Sequence, residues 1–163
     1  MPKDKKTLRK ATKGEVIAQV AAIPFRVNGG GELEVMLVTS RGTRRFIVPK
    51  GWPMKGKSER QAALVEAREE AGVRGKALKR PAGSYCYWKR LSTSFVNVVV
   101  TAYLIEVSEE LQDWQEAGAR QRAWLAPSDA AVLIDEPELA TLIRNLSASD
   151  IATPAEVMAE AAR

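Results

Sequence analysis

Residues 51–73 read GWPMKGKSERQAALVEAREEAGV, and this stretch decides the fold. Its opening, with Gly51, Pro53 and Gly56, has the composition of a loop, and the character changes at Ser58. Ser58 followed three residues later by Gln61 is a capping-box pattern, and Glu59 falls in the first turn, where the helix dipole favours a carboxylate. Ala62, Ala63, Leu64, Ala67 and Ala71 supply helix propensity and a narrow apolar face that can lie close to a sheet; Gly72 ends the helix. At about 100° per residue, Glu66, Glu69 and Glu70 occupy an arc of roughly 100° on one side. Like charges at that spacing destabilise a helix by about 0.2–0.5 kcal/mol per pair. A hard divalent cation held by the carboxylate oxygens would offset this cost, and so would full solvation of an acidic face. The helix alone leaves both readings open.

Outward from this unit, VIAQVAAIPF from residue 16 predicts a strand ending at Pro24, and LEVMLVT at 33–39 a second. The turn Asn28-Gly29-Gly30-Gly31 between them makes a hairpin. Residues 45–48 read as a short third strand stopped by Pro49. Downstream, 76–87 and 95–107 predict two strands, the latter apolar enough to be central, and 121–125 predicts another before Pro127. Residues 128–133 and 136–145 read as helices, and Thr153-Pro154-Ala155-Glu156 can cap a last short one. Strands and helices do not alternate regularly, so the expected class is α+β, a helix–sheet–helix sandwich around a mixed sheet. Residues 1–14 are expected to be a flexible basic arm, 15–147 the folded domain, and 148–163 a tail.

The chain of 163 residues, 17.9 kDa, is one domain with 45% hydrophobic and 28% charged residues. No apolar run approaches membrane-spanning length and no signal-peptide pattern opens the sequence, so a cytoplasmic location is expected. The single cysteine, Cys86, excludes an internal disulfide and Cys-x-x-Cys chemistry. The absence of histidine excludes Ser-His-Asp and Cys-His catalysis, His-ligated zinc and imidazole acid–base steps. Carboxylates, lysines, tyrosines or metal-bound water would have to carry any proton transfer. The net charge of +5 favours anionic partners, phosphorylated small molecules or nucleic acid.

Residues 51–73 resemble the Nudix box: Gly, five residues, Glu, seven residues, Arg-Glu, an aliphatic, any residue, Glu-Glu, any residue, Gly, an aliphatic. Gly51, Glu66, Ala67, Glu69, Glu70, Gly72 and Val73 fill the pattern in register, while Lys57 stands where the family has Glu and Val65 where it has Arg. With VMLVTSRGTRRFIVPKGWP, GSYCYWKR and LQDWQEAGARQRAWL, the resemblance runs from about residue 19 to 146. It is strongest to Nudix proteins of the diphosphoinositol polyphosphate phosphohydrolase type, as found in bacteria.

The resemblance implies a Nudix α/β/α sandwich and hydrolysis of a diphosphate bond in diphosphoinositol or dinucleoside polyphosphates, with Mg2+ or Mn2+. It implies that Glu66, Glu69, Glu70 and the carbonyl of Gly51 hold metal, with Glu66 or a loop glutamate as general base; Glu116 is the loop candidate. Ser40, Arg41, Arg44, Arg45, Lys50 and Arg120 would bind substrate, and Lys55 and Lys57 lie in the metal loop. Arginine forks suit phosphate oxygens. Trp52, Tyr85, Tyr87 and Trp88 could stack on a base or serve the core. In the family the box arginine helps hold the catalytic glutamates, which Val65 cannot do, so weakened catalysis is expected. Two alternatives follow: a Nudix domain that binds a phosphorylated ligand as a regulator, and nucleic-acid binding through the basic arm, which lacks interleaved aromatics.

Overall fold

The computed structural model of the protein describes residues 2–151. A mixed sheet is built around two long strands, β1 (Ile17–Val27) and β7 (Phe95–Glu110), which run parallel from Ile17 opposite Val98 to Phe25 opposite Glu106. On the other side of β1 lie β2 (Leu33–Thr39) and β4 (Lys50–Gly51), both antiparallel to it. β2 carries β3 (Phe46–Ile47) and β8 (Arg122–Leu125); β7 carries β5 (Val73–Ala77) and β6 (Gly83–Arg90).

Side chains alternate across the pleat and divide the core in two. Val20, Ala22, Met36, Val38 and Ile105 face helix α2 (Glu59–Ala71), which lays Ala62, Ala63, Ala67 and Ala71 on them. Ala21, Ile23, Phe25, Val98, Val100 and Leu104 face the opposite way, towards α3 (Pro127–Leu133) and α4 (Pro137–Arg144). The architecture is the expected α/β/α sandwich.

The capping box forms as expected: Ser58 Oγ accepts from Gln61 N–H at 3.2 Å, and Gln61 Oε1 accepts from Ser58 N–H at 2.8 Å. Gly72 caps the other end with φ +65°, where an added Cβ would also run into Trp114 and Arg122. Arg122 donates from Nη1 to the carbonyls of Ala71 and Gly72, each at 3.0 Å, and stacks 4.1 Å from the Trp114 ring. A cation at the carbonyl end of α2 is favoured by its dipole.

Four expectations are corrected. β1 runs through Pro24 to Val27, because Pro24 falls between the pairing with β4 at residues 20–21 and that with β2 from Phe25, so its missing N–H leaves no ladder bond unmade. The strand expected at 76–87 is two strands along one edge of β7, interrupted where Pro81 and its neighbours loop out between Leu78 and Ala82. Gly51, read as the start of a loop, pairs with β1 together with Lys50. Finally, the basic arm is helical: α1 (Pro2–Thr12) buries Thr7, packs Leu8 and Ala11 on the core, and anchors Asp4 to the Ser92 N–H at 3.3 Å. The tail begins with a short helix, α5 (Ala148–Ile151); the helix expected at Thr153 lies outside the described residues.

Candidate active site

Helix α2 sets the acids in place. Its alanines rest on the sheet, so Glu66 and Glu70 on the flank of that face are carried in against β4, each only 9% exposed. Glu69 stands further out and is half-buried. Gly51 makes room for Glu66: a Cβ at residue 51 would fall inside that carboxylate. Glu66 accepts no hydrogen bond among the described residues. Glu70 accepts one from the Lys50 N–H at 3.2 Å and lies 3.5 Å from Arg120 Nη2.

Arg120 enters from the loop between β7 and β8. Its Nη1 donates to the Thr39 carbonyl at 3.0 Å, and its Nη2 is 3.3 Å from Glu116 Oε1. Glu116 also meets Arg41 at 3.4 Å, so Arg41, Glu116, Arg120 and Glu70 form one chain of alternating charge. The loop is stitched to the helix by Glu116 N–H to the Glu69 carbonyl and Trp114 Nε1–H to the Glu70 carbonyl, both 3.1 Å. Arg120 therefore faces the acids with its charged end buried, whereas an open substrate rim was expected for it.

Burial, then Glu70, Glu69 and Glu116, push the Glu66 carboxyl up to about 7 from the ordinary 4.5. Burial also raises Glu70, against the pull of Arg120. Between pH 4.5 and about 7 the unfolded chain ionises at residue 66 while the folded chain keeps its proton. The stability that Glu66 contributes at low pH is thus lost as pH rises through that window, by up to about 3 kcal/mol. Urea midpoints in chelator are expected to fall from pH 5 to pH 8, and Glu66→Gln is expected to flatten most of that fall.

Lys50 joins this site to the other face of the sheet. Its ammonium, depressed by burial, lies 5.2 Å from the Tyr87 ring, and the Tyr87 hydroxyl donates to Gln19 Oε1 at 2.5 Å. Arg45 turns to the start of α4, with Nη2 2.8 Å from Glu136 and Nε 3.9 Å from Asp135. Ser40 shapes the preceding turn, its hydroxyl accepting the Arg45 N–H and meeting Thr43. Arg44 is exposed there at φ +56°. The structure thus brings Gly51, Glu66, Glu70, Lys50, Arg41 and Arg120 together with Glu116, and holds Arg44 and Arg45 apart from the acids. Lys89, 5.8 Å from the Trp52 ring, and Glu136 were not singled out in the sequence. Lys89 lies in a stretch flagged for its aromatics, and nothing local ties Glu136 to Arg45.

The donor set is all hard oxygen and suits magnesium or manganese. Glu116 Oε1 is buried without a hydrogen-bond partner. Among the described residues no three carboxylates stand close enough to hold an ion as they are, since Glu70 is drawn to Lys50 and Arg120. No described helix is long and apolar enough to cross a membrane.

The sheet sandwiched between helices is a fold that solved structures share. A C. elegans Ap4A hydrolase in a binary complex superposes with TM-score 0.59 at 21% identity, covering 79% of this chain and 93% of that one. The NUDIX domain of Shewanella oneidensis NrtR complexed with ADP ribose gives 0.59 at 18%, covering 79% and 86%. The chain belongs to the NUDIX domain family, whose model matches residues 17–146. Nudix hydrolase 21, chloroplastic, from Arabidopsis thaliana is 34% identical over 117 residues, 70% of this chain and 58% of the relative. Diphosphoinositol polyphosphate phosphohydrolase 2 from Mus musculus is 36% identical over 102 residues, 61% and 53% of the two chains. The chain spans a little over half the length of these relatives.

Proposed function

We propose that the protein hydrolyses a diphosphate bond in a nucleoside- or inositol-linked polyphosphate, with Mg2+ or Mn2+ held by Glu66, Glu69, Glu70 and the Gly51 carbonyl. The observation that carries this reading is the Glu66 carboxylate set against Gly51 beside Glu70, with Glu116 Oε1 buried and unpartnered nearby, inside a matched NUDIX domain. A bound cation would neutralise phosphoryl oxygens and lower the pKa of attacking water. Glu66 or Glu116 would take the proton from that water. Lys50, Arg41 and Arg120 supply positive charge beside the acids, whereas Arg45 is committed to Glu136 and Ser40 to its own turn.

The relatives' names support a polyphosphate substrate of the diphosphoinositol or diadenosine type. Lys57 and Val65 are read as departures from the box. Arg120 supplies from the loop the positive charge that Val65 cannot give the glutamates. The second reading, a domain that binds a phosphorylated ligand without turnover, is favoured by that same arginine, which sits at Glu70 and Glu116 where a metal would need them. Turnover of a panel of diadenosine, diphosphoinositol and nucleoside diphosphate compounds, with and without magnesium, separates the two: saturable binding with no product would leave only the second.

A further inference from the structure

Helix α1 lies outside the residues matched by the family, yet it is docked beside the metal loop and forms one wall of a groove of about 430 Å3. Lys3, Lys6, Thr7 and Lys10 of the helix line it together with Trp52 and Pro53. At about 100° per residue the three lysines fall within roughly 60° of arc, with Arg9 about 60° and Lys5 about 100° beyond Lys6. The face is held in this rotation by Thr7, Leu8 and Ala11 against the core and by Asp4 on the Ser92 N–H. Among the described residues no carboxylate lines the groove and none of the three lysines forms an ion pair. Three like charges gathered along one wall repel one another unless an anion is bound between them.

The groove also has a fixed relation to the acids. Leu8, Ala11 and Trp52 pack on the α3/α4 side of the sheet, and the groove meets the acid site at the step from Trp52 to Gly51, the residue against which Glu66 lies. An extended polyanion with one phosphate at the acid site could therefore lay its further phosphates along Lys3, Lys6 and Lys10. We infer that this groove is a second phosphate-binding site, taking the non-reacting phosphates of a substrate with several of them. Its assignment to substrate rests on the hydrolase reading; its affinity for polyanions does not.

The test is calorimetric titration of inorganic tripolyphosphate into the full chain in chelator at low salt, which needs no turnover. Lys6→Gln with Lys10→Gln is expected to weaken binding at least about fivefold, and Lys79→Gln with Arg80→Gln, which removes the same charge from the exposed loop after β5, by less than about twofold. Equal losses in the two variants, or no loss in either, would overturn the site. A single-stranded oligonucleotide titrated in parallel separates the sources of phosphate. Dependence on Lys6 and Lys10 for the oligonucleotide but not for tripolyphosphate would also overturn it. With metal and a turned-over substrate, KM for a multiply phosphorylated compound should rise in the Lys6, Lys10 variant, with KM for a single diphosphate unchanged. An equal rise in both would overturn the assignment to non-reacting phosphates. Absence of turnover in the wild type would strike the hydrolase reading and leave the titration to decide the site.

Discussion

Glu70→Gln is expected to cut metal-dependent turnover at least about 100-fold while the protein stays folded. Changes to groups that merely orient metal ligands commonly cost about 10–100-fold, and a change to a ligand itself should reach at least the upper end. Glutamine keeps an oxygen to accept the Lys50 N–H, so the junction of α2 with β4 survives. What goes is one negative charge from a cluster in which Glu66 already feels Glu70 and Glu69. Loss of the charge should relieve Glu66, so the metal-free variant should unfold at nearly the wild-type temperature, despite its weaker hold on Arg120. Steady-state kinetics with magnesium and a thermal melt without it check both halves. A folded variant with wild-type turnover would remove Glu70 from the metal set.

Arg120→Met is expected to act the other way, on stability before chemistry. The arginine's side chain is 6% exposed, and it is the shared counter-charge of Glu70 and Glu116, themselves 12% and 15% exposed. Removing one partner from a buried cluster leaves the others uncompensated, a cost of several kcal/mol in full burial. At 3.3 and 3.5 Å without formal hydrogen bonds to the acids, about 2–3 kcal/mol is the fitting size here. For a chain of this length that is a fall of roughly 5–10 °C in Tm. Millimolar magnesium should restore part of the loss, because the ion replaces the missing positive charge. Calorimetry with chelator and with magnesium reads the difference. Equal destabilisation in both conditions would mean that Arg120 acts only through Thr39 and packing.

Legibility followed the range of the interactions. The start and end of α2 were readable because the Ser58–Gln61 box and Gly72 are local chemistry, complete within a few residues. The strands 33–39 and 95–107 were readable from their apolar, β-branched character. Pro24 misled because proline's cost depends on which neighbour its nitrogen faces, and on the β2/β4 side β1 is between partners there while β7 pairs it on the other. The gap between β5 and β6 was invisible because both segments pair with the same strand. Helix α1 was hidden by its lysines: only Thr7, Leu8 and Ala11 pack inward, too few to show a period. Of the site, the acids were legible from spacing and Gly51 from the family resemblance, but the placement of Arg120 was not, since a loop residue's reach depends on the fold that carries it. Its partner Glu116 was read as a loop carboxylate, and only the stitching of that loop to Glu69 and Glu70 brings it to the acids.

The most direct measurement is product release by the unmodified chain from diadenosine and diphosphoinositol polyphosphates as magnesium is titrated from chelator to millimolar concentrations. Turnover absent in chelator, rising saturably with magnesium and lost again in Glu70→Gln, is the predicted result. Turnover that is equal in chelator and magnesium, or unaffected by Glu70→Gln, would contradict a metal-dependent hydrolase built on this helix.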